Sequence, residues 1–306
     1  MPGLARYNPF TDINVIKNPD EFFGREDELR TIFTRLQGLQ STSIYGDRKI
    51  GKSSLLYNVL YNIPEELGIE YKSAYIDLRD SNYYTSHDFL KNVLLKFKCD
   101  PDVIQEKNNY NRNLIEFSES IKALRTKCKP VLLIDEFDYI IKKPGEFKEE
   151  FLETLRTLGY QGYIAYVTAS FHSLRELCTK SKLNSTFYSI FYESKLCELK
   201  PNEITDFLSA RRKGVYFNSK EIKLIKETAG SNPFHLRIAC ECVFENRGKK
   251  WNSEKLKEKI KKDIEFYDHK SLGIERYFRK FCKTSSTCIL KKADSVIEIL
   301  KIIFRL

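Results

Sequence analysis

An α/β fold, a parallel sheet with helices on both faces, is what this sequence predicts, and three observations predict it. Short β-branched or aromatic runs alternate with longer amphipathic stretches as far as Pro201. One such run, residues 41–45, leads through Gly46-Asp47-Arg48-Lys49-Ile50-Gly51-Lys52-Ser53-Ser54 into apolar residues at helical spacing. Another, residues 131–134, is wholly apolar and ends in Asp135-Glu136.

The strands are expected at residues 41–45, 72–78, 130–135, 162–169 and 191–199. Helical periodicity falls at residues 26–36, 53–61, 86–97, 112–126 and 145–158. A parallel sheet built this way takes its ligand at the carboxyl ends of the strands. Beyond Pro201 the pattern turns all-helical, at residues 203–213, 219–229, 233–244 and 252–267, with Gly214 and Gly230 as stops. The organisation expected is an α/β domain over 1–201, a small helical domain over 202–267, and a basic C-terminal segment over 268–306. That last segment ends in an apolar amphipathic stretch at 293–306. Either the stretch docks on the body or it belongs to a longer domain.

The segment 46–54 has the spacing G-x-x-x-x-G-K-[ST] of a phosphate-binding loop, and it stands between a strand and a helix, as such a loop must. Its glycines let backbone N–H groups and the positive helix end face phosphate oxygens, with Lys52 toward the β/γ-phosphates and the Ser53 hydroxyl on Mg²⁺. A buried strand can end in a carboxylate only if a cation neutralises it, which assigns Asp135 to the same Mg²⁺. Glu136 is then placed to orient or deprotonate a water for attack on the γ-phosphate. The competing reading is two acids that cap the following helix. An acid directly after the magnesium ligand, and the lack of an Asn-Lys-x-Asp sequence, favour ATP over GTP. At the end of the fourth strand, Thr168 and, less favourably, Ser170 offer a hydroxyl to the γ-phosphate or the lytic water. Arg156, Arg175, Arg211 and Arg212 are candidate finger-like charges, and nothing in the sequence selects one.

Composition narrows the alternatives. No run of eighteen apolar residues occurs, and the first residues lack the hydrophobic segment of a secretion signal, so the expected address is the cytoplasm, with no membrane partner. Eight scattered cysteines without a C-x-x-C pair suit a reduced compartment, and the four histidines have no partner at a catalytic or metal-binding spacing. The net charge of +10 is concentrated in residues 246–306, which hold 17 Lys+Arg against 8 Asp+Glu. Lys255, Lys257, Lys259, Lys261 and Lys262 alternate with acids, as on a solvated helix face; a nucleic-acid or acidic-partner surface is the alternative.

Phe22-Phe23-Gly24-Arg25-Glu26-Asp27-Glu28 resembles the hhGRExE box that precedes the phosphate loop in STAND ATPases, the signalling P-loop NTPases related to AAA+ proteins and archaeal origin initiators. The resemblance spans about residues 8 to 245 and is nearest to STAND-like ATPases of the archaeal-ATPase type. It implies that Gly24, Arg25 and Glu28 lie against the nucleotide, with Arg25 tying the N-terminal segment to the phosphates or the lid. Read from residues alone, Gly24-Arg25-Glu26 can equally be a turn into a helix. Gly230-Ser231-Asn232-Pro233 is similar to the glycine–proline motif of the STAND lid, whose proline approaches adenine, although the spacing here is one residue longer. Many STAND proteins carry an arginine where this chain has Thr168-Ala169-Ser170. Residues 268–306 resemble a partial winged helix at most.

These readings converge on an ATP·Mg²⁺-binding switch with slow hydrolysis, an α/β core and a helical lid, with nucleotide-dependent self-association possible and the effector unspecified. The rival is a DNA-binding, initiator-like ATPase that grips phosphates through its basic C-terminal segment. A third reading is an ATP-binding scaffold without turnover.

Overall fold

The computed structural model describes residues 8–12, 14–180, 185–210, 214–249 and 252–271. The chain divides into two compact units, Met1–Lys249 and Lys250–Leu306. In the first, α1 (Glu26–Gln37) leads into β1 (Ser41–Tyr45), followed by α2 (Lys52–Leu67), β2 (Tyr71–Asp77), α3 (Ser86–Lys96), α4 (Tyr110–Arg125) and β3 (Lys129–Asp135). Then come α5 (Asp138–Ile141), α6 (Glu149–Tyr160), β4 (Ala165–Ser170), α7 (Leu174–Lys180) and β5 (Phe191–Lys195). Three helices close the unit: α8 (Pro201–Ser209), α9 (Ser219–Ala229) and α10 (Pro233–Glu245). The second unit is described through α11 (Ser253–Ser271). The winged-helix expectation beyond residue 271, the segment 293–306, and Arg211 and Arg212 lie outside the described residues.

The five strands form one parallel sheet in the order β2-β3-β4-β1-β5. Strand residues alternate between faces, so β3 serves two cores. Val131 and Leu133 pack with Ile32, Leu36, Leu55, Leu56 and Val59 from α1 and α2. Leu132 and Ile134 pack with Phe89, Phe117, Phe151 and Leu155 from α3, α4 and α6. Covered on both faces, β3 and β4 are buried almost throughout, as in other doubly covered parallel sheets. Because β4 separates β3 from β1, the loop after β1 and the acids ending β3 flank the end of β4.

Among the strands, two boundaries differ from the sequence expectation by three or more residues. The fourth strand begins at Ala165 rather than at 162 because α6 ends in a left-handed stop. Gly162 has φ +70°, its N–H donates to Gly159 O, and the Tyr163 N–H donates to Leu158 O, which satisfies the last carbonyls of the helix. The fifth strand ends at Lys195, with one further bond from the Leu196 N–H to Tyr45 O. No helix of the described residues is long and apolar enough to cross a membrane.

Candidate functional site

The loop after β1 is shaped by its closest neighbour. A Cβ added at Gly46 would lie 2.6 Å from the Leu196 carbonyl oxygen, so only glycine fits where the chain leaves β1 beside the end of β5. Asp47 and Arg48 are exposed, Lys49 takes φ +63°, Ile50 is buried, and Gly51 opens α2. Unlike α1, α6, α8 and α9, helix α2 has no acid in its first turn, and its N-terminus has no side-chain cap. Its first N–H groups and the positive end of its dipole therefore face the loop without a side-chain acceptor, an arrangement that favours an anion. Lys52 folds back over the loop, donating to Gly46 O at 2.7 Å and Asp47 O at 2.8 Å. Burial pushes its ammonium pKa down, against the opposing charges of Glu136, Asp135, Asp138 and Asp47. Ser54 accepts a hydrogen bond from the Ile16 N–H at 3.0 Å, which binds the N-terminal segment to α2.

Asp135 is 1% exposed and meets three donors. The Glu136 N–H reaches its Oδ1 at 2.9 Å, the Tyr75 hydroxyl reaches its Oδ2 at 2.9 Å, and the Ser53 side chain bonds it as well. Burial nevertheless raises the Asp135 carboxyl above the ordinary carboxylate range. Glu136 stands next to it with φ +55°. Burial raises its carboxyl too, against the nearby Arg79 guanidinium, whose Nη1 is 3.5 Å from Glu136 Oε1. Arg79 itself is clasped by Asp77 at the end of β2.

Thr168 pairs in register with Ser43 and Ile134, two residues short of the end of β4. It is fully buried, and its hydroxyl has no hydrogen-bond partner among the described residues. Ser170 stands at the strand end, where its carbonyl accepts from the Gly46 N–H at 3.3 Å and its hydroxyl donates to His172 O at 2.6 Å. Of the candidate fingers, Arg156 pairs with Glu153 within α6, and Arg175 lies over the Tyr188 ring.

The Gly24-Arg25 box and α10 meet the same loop, and α8 meets the box. Arg25 is buried, with φ +71°. Its Nη2 donates to Ile50 O at 3.1 Å, Nη1 lies 3.4 Å from Glu28 Oε1, and its backbone N–H donates to Glu203 Oε1 of α8 at 2.6 Å. Pro233 is the first residue of α10, capped by the Asn232 side chain, and Phe234 places its ring 4.1 Å from the Lys49 ammonium. Five non-glycine residues among those described have positive φ, and Arg25, Lys49 and Glu136 are three of them. Such conformations cost of order 1–3 kcal/mol each and gather at functional sites, so their concentration here distinguishes this corner of the sheet.

Four residues that the sequence analysis did not single out complete the arrangement: Tyr75, Arg79, Glu203 and Arg237. Tyr75 and Arg79 were within reach, since they flank the end of an expected strand where ligands bind. Arg237 lies one turn beyond Pro233 and Phe234 on α10, is buried, and its Nε has no hydrogen-bond partner among the described residues. Burial lowers its pKa, with Asp12 and Glu21 of the N-terminal segment opposing. Glu203 left no sequence signal beyond its place in the first turn of a helix.

Comparison with known proteins bears on the family and the fold. Residues 22–237 match the profile of a family described as an ATPase domain predominantly from Archaea. No curated protein matches the chain. The fold is similar to that of the Walker-type ATPase of Pyrococcus abyssi, with a TM-score of 0.61 at 18% identity over 88% of this chain and 81% of that one. It is similar to the ORC2 protein of Aeropyrum pernix in its ADPNP and ADP complexes, with a TM-score of 0.62 at 19% identity over 85% and 72% of the two chains. The Aeropyrum pernix ORC1 protein in complex with DNA is also similar, with a TM-score of 0.56 at 16% identity over 84% and 68%. At these identities the likeness is one of fold, and it is the profile match across residues 22–237, more than half of the sequence, that places the chain in the family of ATPase domains found predominantly in Archaea.

Proposed function

We propose that the protein binds ATP·Mg²⁺ at the loop 46–54 and hydrolyses it slowly, the nucleotide state setting the position of the helical lid formed by α8, α9 and α10. The observation that carries this reading is the double contact of Arg25. Its guanidinium holds the carbonyl of Ile50 in the loop, and its N–H is held by Glu203 of the lid, so a change in the loop reaches the lid through one buried residue. Lys49 against Phe234 is a second junction of the same kind. A ligand that interacts differently with two lid positions shifts the balance between them by that difference in affinity.

The donor set suits Mg²⁺, a hard cation that takes oxygen ligands and leaves most of its coordination to water and phosphate. The Ser53 hydroxyl and the Asp135 carboxylate are already in contact, and no cluster of three or more acids, histidines or cysteines among the described residues offers a dedicated metal cage. Bound there, the ion would offset charge on the β/γ-phosphate oxygens. Lys52 would exchange its two carbonyl partners for phosphate, and Glu136 would orient the attacking water. Pro233 and Phe234 would border the base. Arg237, whose buried charge lacks a full set of partners, would gain one in an anionic ligand.

Lys52→Ala should remove ATP binding, measured by calorimetric titration, and leave a folded protein, since among the described residues the Lys52 ammonium bonds loop carbonyls. Micromolar ATP affinity retained in the folded variant would end the assignment. ATP with Mg²⁺ should also raise the melting temperature more than GTP does at equal concentration.

The structural similarity to the Aeropyrum pernix ORC1 protein in complex with DNA, together with the excess of positive charge in residues 246–306, favours a second reading as a DNA-binding ATPase. In α11 the lysines alternate with Glu254, Glu258 and Asp263, and the Lys257 ammonium is 3.5 Å from Glu254. Such a surface binds DNA weakly, with Kd about 10⁻⁴ to 10⁻⁶ M, and loses it as salt rises. Tight, sequence-dependent binding in an anisotropy titration across salt, abolished by neutralising Lys255, Lys257, Lys259 and Lys261, would favour this second reading over the switch.

A further inference from the structure

Tyr75 belongs to neither the loop nor the acidic strand end, yet its hydroxyl lies 2.9 Å from Asp135 Oδ2. We infer that Tyr75 is a positioning residue for divalent-cation binding: it fixes the plane of the Asp135 carboxylate so that the ion finds that oxygen ligand already aimed. This inference rests on the ATP·Mg²⁺ reading given above.

The geometry is a closed ring. In the sheet Tyr75 is opposite Leu133 and Asp77 is opposite Asp135, so Asp135 is the diagonal neighbour of Tyr75, a distance that a long aromatic side chain spans. On α2, Ser53 and Tyr57 are four residues apart and share a face. Ser53 bonds Asp135, while the Tyr57 ring packs on that of Tyr75, tilted by 35° with centroids 4.4 Å apart. From Asp135 the ring thus runs through Tyr75, Tyr57, one turn of α2 and Ser53 back to Asp135. The Lys17 ammonium, 5.2 Å from the centre of the Tyr57 ring, secures its outer side.

The carboxylate can accept about four hydrogen bonds. The Glu136 N–H takes a place on Oδ1 and Tyr75 a place on Oδ2, which leaves lone pairs on both oxygens while fixing the plane of the group. Ser53 must turn an oxygen lone pair toward a cation when one is bound, and its hold on Asp135 then changes. The Tyr75 bond need not change, because tyrosine donates from outside the ligand set. Mg²⁺ demands near-octahedral geometry, so a carboxylate free to rotate is a poorer ligand. Partners of this outer kind are worth typically 10–100-fold in metal affinity.

Tyr75→Phe keeps the ring against Tyr57 and removes only the hydroxyl. The experiment titrates Mn²⁺, followed by its electron paramagnetic resonance signal, into the full chain saturated with adenylyl imidodiphosphate. A parallel Mg²⁺ titration reads the melting temperature. The half-saturating concentration of either ion should rise about tenfold or more in Tyr75→Phe. The analogue's affinity in EDTA should be unchanged, and Asp135→Ala should mark complete loss of the ion response. Tyr57→Leu, which removes the packing ring, should shift the ion titration in the same direction by a smaller factor and serves if Tyr75→Phe does not fold. Ion titrations identical to the parent in both variants overturn the inference and leave the ATP reading standing. A parent protein whose nucleotide binding ignores divalent cations overturns the reading itself, and the inference with it.

Discussion

Arg79 Nη1 stands 3.5 Å from Glu136 Oε1 while Asp77 clasps the same guanidinium through Nε at 3.0 Å and Nη2 at 2.6 Å. Arg79 thus opposes the burial that raises the Glu136 carboxyl and favours its ionised form. Glu136→Gln should retain ATP binding and slow hydrolysis by roughly a hundredfold, the scale of a lost general base. Arg79→Ala should act on protonation instead. With its cation gone, the Glu136 carboxyl rises further, and the acid limb of the pH–rate profile moves to higher pH. Phosphate release measured across pH decides it, and an unmoved limb would separate Arg79 from Glu136.

The same burial has a consequence for stability without nucleotide. The Asp135 carboxyl is raised in the fold, whereas in the unfolded chain it titrates near 4. Between those values the unfolded state binds fewer protons than the folded one, so the contribution of Asp135 to stability falls as pH rises through its folded pKa. Asp135→Asn should therefore melt close to the parent in acid and above it at neutral pH. Circular-dichroism melts of the two ligand-free proteins at several pH values test this, and a difference that does not grow with pH counts against the assigned environment.

Arg25 and Glu203 make a prediction about coupling. Arg25→Met removes the guanidinium bond to Ile50 O and leaves the backbone bond to Glu203, while Glu203→Gln weakens the lid side and spares the loop side. A hydrogen bond to a charged group is worth about 1.5–3 kcal/mol, so both variants should be less stable without nucleotide. Hydrogen exchange in residues 201–245 of the parent should differ between ATP and ADP, and in both variants that difference should shrink. A lid response of full size in both would leave Lys49 and Phe234 as the route.

Much of the fold was legible because its signals are local. Residues 219–229 carry helical spacing up to the stop at Gly230, and the structure places α9 on those residues. Gly46 through Ser54 and Asp135 were legible because the loop chemistry and the buried acid leave fixed residue patterns. What was not legible depends on strand order, which no local pattern encodes. Tyr75 touches Asp135, sixty residues away, only because β2 and β3 are neighbours, and Glu203 meets Arg25 across 178 residues. The fourth strand was placed too early because Tyr163 and Ile164 read as β-formers, while the backbone bonds of Gly162 and Tyr163 were already committed to ending α6.

Arg237 yields the sharpest contrast between states. Its side chain is buried on α10, its Nε lacks a partner among the described residues, and the acids that oppose its lowered pKa are Asp12 and Glu21 of the N-terminal segment and Glu241 of its own helix. A buried cation without full hydrogen bonding is unfavourable, and removing it can relieve the fold. Phe234, one turn earlier on α10, already touches the loop through Lys49, so an anion bound at the start of α2 lies toward the end of α10 from which Arg237 extends. Arg237→Met, which keeps most of the apolar stem, should melt at or above the parent without ligand. It should then gain less from ATP than the parent does, with the smaller gain in ATP than in ADP if Arg237 meets the terminal phosphate. Melting curves of both proteins with no ligand, ADP and ATP supply all the comparisons. A variant destabilised without ligand, yet stabilised normally by ATP, would make Arg237 a strut between α10 and the N-terminal segment rather than a partner of the nucleotide.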